Sequence, residues 1–395
     1  MSNLQKDKKY LILFVQQSNE LAKQMLDILS MLDKNFIFDF IFLNNQDNPE
    51  FPMQLKRAHV VFGNPSLLQR MQKPKRDCPN LKWFMSLSSD QKEILQMAPH
   101  YEESEPPFIL SHSYNFQGAL VAEYVIGMVI MLQHKFLLLA NSQSAPFSVQ
   151  APCLQFLHFS QLRFGVLGVG QNGQEVARRV HVLGGKIWGL HRHARKDGEP
   201  LFPAYKQERE STDKLPLISQ CFERMFALDG DKTKTQDEVL IEFLSGVDVI
   251  VVALPESSET TYLLGGSDSK DERQARHVLQ HCKPSCILIN LRCNTIISEN
   301  EIIHALNKNW IQTVVLDVFN IQPLPPTSPL ITSKLPPSRL ILSPSLSGAV
   351  HTNNLFQQLL QDNIQLFMQG MLEERRTGVR WKPNLHYMID WKHDS

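Results

Sequence analysis

The chain lacks any imbalance of charge: forty Lys and Arg stand against forty Asp and Glu. With no global field to gather polyanions, nucleic acid and anionic membrane surfaces are poor partners. Cysteine is also scarce. The six thiols, at 78, 153, 221, 282, 286 and 293, form no CxxC pair and no His/Cys cluster of zinc spacing, so neither a disulfide framework nor a metal is expected. Reduced thiols in the cytoplasm are the plain expectation. Near the amino end the apolar run Tyr10 to Val15 is too short for a signal-peptide core, and no secretion is expected. A long uninterrupted apolar run is missing too. The stretch 119-ALVAEYVIGMVIMLQHKFLLLA-140 has the length of a membrane span, but Glu123, Gln133, His134 and Lys135 break it. A charge in mid-span costs about 3 kcal/mol. One long helix, buried between domains or subunits, is expected there instead. No internal repeat is visible.

What is present is an ordinary globular composition, 43% hydrophobic over 395 residues, enough for two domains. Short apolar runs 10-YLILFV-15, 36-FIFDFIFL-43, 59-HVVFG-63 and 82-KWFMSL-87 alternate with segments long enough for helices, such as 19-NELAKQMLDILSML-32. The pattern predicts an α/β fold with a parallel, doubly wound sheet. A second series follows: 163-RFGVLGVG-170, 186-KIWGL-190, 248-DVIVVALP-255, 286-CILINL-291, 313-TVVLDVF-319 and 339-RLILSPS-345. These six candidates fit one Rossmann sheet. The polar stretch 194–214 reads as an extended loop, and the order of 194–238 is left open; a last helix is expected over 351–369.

In 164-FGVLGVGQNGQEVARRV-180, Gly168, Gly170 and Gly173 make G-x-G-x-x-G between a strand and a helical pattern, with Gln171 and Asn172 inside the turn. The first glycine permits the turn, the second admits a pyrophosphate, and the third lets helix and strand pack closely. The helix amino end adds N–H donors and a positive dipole. The competing reading is a turn with a purely structural purpose. Where an acidic residue usually receives the adenosine ribose, this chain has His191 followed by Arg192. A guanidinium pairs with a 2′-phosphate, so NADP(H) is favoured over NAD(H). A solvated basic loop is the alternative.

These landmarks, with 122-AEYVIG-127, 254-LPESSETTYLL-264, 289-IN-290, 316-LDVF-319, 323-PLP-325 and 342-LSPSLSG-348, resemble those of the D-isomer-specific 2-hydroxyacid dehydrogenases from about Leu81 to Gln369. The resemblance implies a flavodoxin-like substrate domain built from residues 1–117 and 347–395, with a Rossmann domain, 118–346, inserted between. It further implies a nicotinamide dinucleotide, a small-molecule acid as substrate, and a homodimer formed through the helix from Ala119 to Ala140. Leu254, Pro255 and Asp317 become expected cofactor contacts. Each has a plainer reading, a shaped loop or a capped turn.

Such enzymes hold the substrate with an arginine, protonate it with a histidine and keep that histidine charged with a glutamate. Here the arginine position falls on Cys293, with Arg292 one residue early; the glutamate position is Gln322; the histidine position is Ser345. Neighbours on an extended segment point to opposite sides, so Arg292 is expected to miss the cleft. A neutral amide cannot raise a partner's pKa by charge, and a serine hydroxyl is a poor general acid near neutral pH. In the expected substrate loop, Ser89, Asp90 and Gln91, an aspartate replaces a glycine. Two like charges about 4 Å apart repel by roughly 4 kcal/mol at an effective dielectric of 20. His112 and His351 are the nearest alternative acids. Three readings follow: a nucleotide-binding family member with weak or no catalysis, a working reductase with rearranged groups, and a scaffold that binds no nucleotide.

Overall fold

The computed structural model describes residues 9–15, 37–43, 47–87, 94, 96–98, 107–112, 117–192, 216–230, 233–254, 256–266, 276–348 and 354–377. The expected helix 19–32, the polar stretch 194–214, the substrate loop Ser89–Gln91, Pro255 and His351 lie outside them. The chain divides into two compact units: Met1–Phe116 with Val350–Ser395, and Gln117–Ala349.

The first unit is a parallel sheet in the order β2-β1-β3-β4-β5, with β1 Lys9–Val15, β2 Ile37–Leu43, β3 Val60–Gly63, β4 Trp83–Ser86 and β5 Ile109–His112. Its inner strands β1 and β3 are almost wholly apolar because both of their faces are covered. Alternate residues serve opposite layers. Leu13, Val15 and Phe84 face one core, while Ile12, Phe14, Trp83 and Met85 face the other. That second layer is closed by Leu360, Ile364, Phe367, Met368 and Met371, spaced at helical intervals along the C-terminal helix Asn354–Thr377. Trp83 is fully buried, and its indole Nε1–H donates to Ser111 Oγ at 2.8 Å.

The second unit holds a seven-stranded parallel sheet in the order β12-β11-β10-β9-β6-β7-β8. The strands are β6 Arg163–Leu167, β7 Lys186–His191, β8 Arg224–Ala227, β9 Val249–Val252, β10 Ile287–Asn290, β11 Thr313–Leu316 and β12 Leu340–Leu342. Chain order reverses between β6 and β9, which makes a switch-point crevice beyond the carboxyl end of β6. The alternation recurs: Val249, Val251, Ile287 and Ile289 point to one core, Ile250, Val252 and Leu288 to the other.

Three expectations need correction. A seventh strand, β8, and the helices Ile218–Cys221 and Gln236–Gly246 occupy part of the 194–238 stretch. A fifth strand, β5, joins the first sheet, for which the sequence offered four candidates. The helix expected from Ala119 to Ala140 is two helices, Gln117–Gln133 and Phe136–Asn141, parted at Lys135, whose backbone is left-handed (φ 57°, ψ 35°). His134 beside the break lies against Phe156, with ring centroids 4.2 Å apart. The longer piece buries Ala122, Val125 and Val129 in the second unit's own core, together with Val176, Ala177 and Val180 of the helix Gln171–Val182. Among the described residues no helix is long and apolar enough to cross a membrane.

Candidate functional site

The glycine turn leaves β6 and enters the helix Gln171–Val182, whose N-cap is Gly170. Its three glycines do different work. Gly168 has φ +92°, and a Cβ there would meet Leu254 N at 2.7 Å. Gly173 is tighter, for a Cβ would meet Gly168 O at 2.1 Å. At Gly170 a Cβ would meet nothing within 4 Å. The first and third glycines are therefore required by packing, while the second opens on space. Leu254, 6% exposed, presses its backbone against the turn, and Gly168 N–H donates to Leu190 O at 3.0 Å, fixing the turn to β7.

Among the described residues no side chain caps the helix at Gly170, which leaves first-turn N–H groups without a side-chain acceptor at the positive end of the helix dipole. Gln171 is 4% exposed, and neither its Oε1 nor its Nε2 has a hydrogen-bond partner among the described residues. A buried amide left without partners costs about 1–3 kcal/mol, which a polar ligand would remove. Open space at the second glycine, free helix donors and an unsatisfied amide fit a pyrophosphate. The charge neutrality of the turn itself is compatible with that fit, because the donors are backbone dipoles.

At the end of β7, His191 is half-buried and Arg192 follows it. The Arg192 guanidinium is engaged by two side chains. Its Nε lies 2.8 Å from Glu259 Oε2, and its Nη1 donates to Ser257 Oγ at 3.1 Å. Both partners belong to the loop after β9. That loop is laced to the one after β10, where Tyr262 N–H donates to Thr295 O at 2.8 Å and Leu264 N–H to Ile296 O at 2.9 Å.

The positions at which the sequence resemblance expects the arginine, glutamate and histidine lie beyond the carboxyl ends of three neighbouring strands. After β10, Asn290 Oδ1 accepts from the N–H groups of Arg292 and Cys293, both at 3.3 Å, and its Nδ2 donates to Cys293 O at 2.8 Å. This wraps the turn around one amide and sends the Cys293 side chain into the core. Cys293 is fully buried beside Ile296 and Leu264, with Sγ 3.7 Å from Thr260 Oγ1, and burial raises its thiol pKa. It is an inert thiol rather than a nucleophile. Arg292 is half-buried, and its guanidinium makes no hydrogen bond or ion pair with a described residue. Gln322, beyond β11, is exposed. Ser345, beyond β12, is exposed with φ 55°, and its N–H donates to Asp317 O at 3.0 Å.

Asp317 has a role that its sequence position did not disclose. It is 1% exposed, and its Oδ1 accepts from Ser343 Oγ at 2.6 Å and Leu346 N–H at 2.7 Å, its Oδ2 from Ser347 N–H at 2.8 Å. The carboxylate shapes the loop that carries Ser345, and its Oδ2, which accepts a single bond there, keeps room for one further donor. Tyr124 extends the network: its hydroxyl is 2.5 Å from Ser343 Oγ, and burial pushes its phenol pKa up. Asn290, Ser343, Tyr124, Ser257 and Glu259 all lay inside recognisable sequence landmarks. Only their partners, distant in sequence, reveal what they do. His112 is buried in β5 of the other unit.

A family model described as the D-isomer specific 2-hydroxyacid dehydrogenase, NAD binding domain, matches residues 226–344. A glyoxylate reductase of Aeropyrum pernix is 25% identical over 207 residues, 52% of this chain and 48% of that protein. A glyoxylate/hydroxypyruvate reductase B of Pectobacterium carotovorum subsp. carotovorum is 33% identical over 211 residues, 53% of this chain and 52% of that protein. The chain thus spans about half the length of the curated relatives it matches. Among solved structures, a D-isomer specific 2-hydroxyacid dehydrogenase family protein from Aeromonas salmonicida superposes with a TM-score of 0.60 at 22% identity, covering 97% of this chain and 100% of that one.

Proposed function

We propose that this chain, which belongs to the D-isomer-specific 2-hydroxyacid dehydrogenase family, binds a nicotinamide dinucleotide at the Gly168–Gly173 turn and turns over ordinary 2-oxo acids weakly or not at all. The observation that carries the first half is Gly170, whose missing Cβ leaves open space in front of uncapped helix donors. Gln171 and Asn172 supply N–H groups to the pyrophosphate, and Arg192 sits where the adenosine ribose is read. That guanidinium favours NADP(H) over NAD(H). When bound, the reduced nicotinamide supplies a hydride. The chain's own residues lack the complement to it, because neither Ser345 nor Gln322 delivers a proton to a developing alkoxide near neutral pH. Asp90 adds a like charge in the loop expected to meet a carboxylate.

Gly170→Ala tests the nucleotide reading. With a Cβ that meets no atom, the variant is expected to keep its melting temperature within about 1 °C and to bind NADPH more than about tenfold weaker by fluorescence titration, because the methyl takes the space the pyrophosphate needs. Equal binding by variant and parent would reject a pyrophosphate at this turn.

The same reading includes a homodimer, supported by the segment that follows the break at Lys135. Phe147 is 83% and Leu154 68% exposed, and Phe136, Leu138, Leu139, Phe156 and Leu157 are also exposed apolar side chains. Such a concentration is unusual on a monomer. It borders a cavity of about 320 Å³ whose lining includes Leu132, Phe156, Leu157 and Ile287. Sedimentation should show a dimer at micromolar concentration that Phe147→Glu/Leu154→Glu converts to monomer, whereas an unchanged mass would place the interface elsewhere.

A further inference from the structure

We infer that Glu259 is the group a 2′-phosphate must displace from Arg192, so that this carboxylate sets the preference between a phosphorylated and an unphosphorylated adenosine ribose. The inference rests on the reading that a dinucleotide binds at the glycine turn, and it names the residue that tunes which one.

In a Rossmann sheet the adenosine ribose lies at the carboxyl end of the second strand. Arg192 is the first residue beyond that strand, β7. Its guanidinium is already engaged by a carboxylate oxygen at 2.8 Å on Nε and a hydroxyl at 3.1 Å on Nη1. An anionic oxygen beside a second acceptor is the set that a phosphate would itself offer to a planar fork of donors. Glu259 therefore holds the phosphate's place.

Of these two described partners, the hydroxyl is the more firmly built. Ser257 is built in: its N–H donates to Thr260 Oγ1 at 2.9 Å, Thr260 Oγ1 donates to Ser257 O at 3.0 Å, and Thr260 is 1% exposed. Glu259 has a side chain 58% exposed, and an ion pair so open to water is weak. A 2′-phosphate arriving at Arg192 thus finds a built-in hydroxyl and a solvent-exposed carboxylate. It must expel the carboxylate, which repels it, before the guanidinium can be shared. A ribose hydroxyl faces no such competition.

Titrations with NADPH and NADH, identical but for the phosphate, test this at constant ionic strength. Glu259→Gln is expected to bind NADPH about three- to tenfold tighter while NADH changes by less than about twofold. Glu256→Gln, an exposed carboxylate three residues earlier, should move neither by more than about twofold. The gain should vanish in Arg192→Ala/Glu259→Gln. An unchanged NADPH affinity in Glu259→Gln overturns the inference, as does a gain that survives loss of Arg192 or appears equally with NADH. If no variant binds either dinucleotide, the nucleotide reading itself falls; if both bind with no dependence on residue 259, only the role of Glu259 does.

Discussion

A Gln322→Glu/Ser345→His double variant is expected to reduce glyoxylate at least about a hundredfold faster than the parent chain, followed as NADPH oxidation. Position 345 accepts the change on two grounds. It is exposed, so the imidazole displaces no core atoms, and its left-handed backbone (φ 55°) is one that histidine adopts more readily than most side chains do. Gln322 is exposed as well, and Glu there restores the charge that would keep the new imidazole protonated. Cys293→Arg is a different matter. Cys293 is fully buried among Leu264, Ile296 and other apolar side chains, so a guanidinium there would be an unpaired buried charge and should unfold the second unit rather than repair it. The carboxylate clamp must then come from Arg292, whose guanidinium is uncommitted among the described residues. If the double variant binds NADPH as the parent does yet gains no rate, acid catalysis is not what the chain lacks, and the fault lies with the clamp or with Asp90.

What could be read in advance follows the range of the interaction concerned. Strands such as 248-DVIVVALP-255 and 286-CILINL-291 were legible because a parallel strand buried on both faces must be apolar throughout. Arg224–Ala227 was not, since an edge strand of four residues carrying an arginine resembles its polar surroundings. Ile109–His112 was missed for a similar reason: Ser111 and His112 are buried through partners such as Trp83 that lie far away in sequence. No glycine or proline marks the break at Lys135, so helical periodicity ran straight through it. The glycine turn was legible as a spacing between a strand and a helix, although what requires Gly168 is Leu254, distant in sequence, and Gly170 answers no steric demand at all. The fates of Cys293, Asp317 and Arg192 were not. Each is decided by a partner 26 to 67 residues distant, Thr260 at 33, Ser343 at 26 and Glu259 at 67, and such pairings follow from topology rather than spacing.

Asp317→Ala is expected to cost about 3–5 kcal/mol of unfolding free energy in urea, the largest loss from any single truncation in the loops around the candidate site. The carboxylate receives three hydrogen bonds from one short segment, two of them from backbone N–H groups. Alanine takes their acceptor from the Leu346 and Ser347 N–H groups, the latter in a residue only 4% exposed, and leaves the Ser343 hydroxyl to Tyr124 and the longer contact with Leu316 O. Asp317→Asn should cost roughly half as much, because one oxygen survives while the new NH₂ group opposes an N–H. Ser343→Ala should cost less, about 1–2 kcal/mol, since it removes the hydroxyl's bonds to Asp317 and Tyr124 but leaves both backbone bonds to Asp317 in place. The order Ala, Asn, Ser343→Ala distinguishes a loop held by the carboxylate from one held by its own turn geometry; a loss below about 1 kcal/mol for Asp317→Ala would sink the assignment. Function should follow the same order. Ser345 hangs from the Asp317 carbonyl at 3.0 Å and lies inside the segment that the carboxylate shapes, so the rate gained by Ser345→His should disappear when Asp317→Ala is added, at temperatures where the triple variant is still folded.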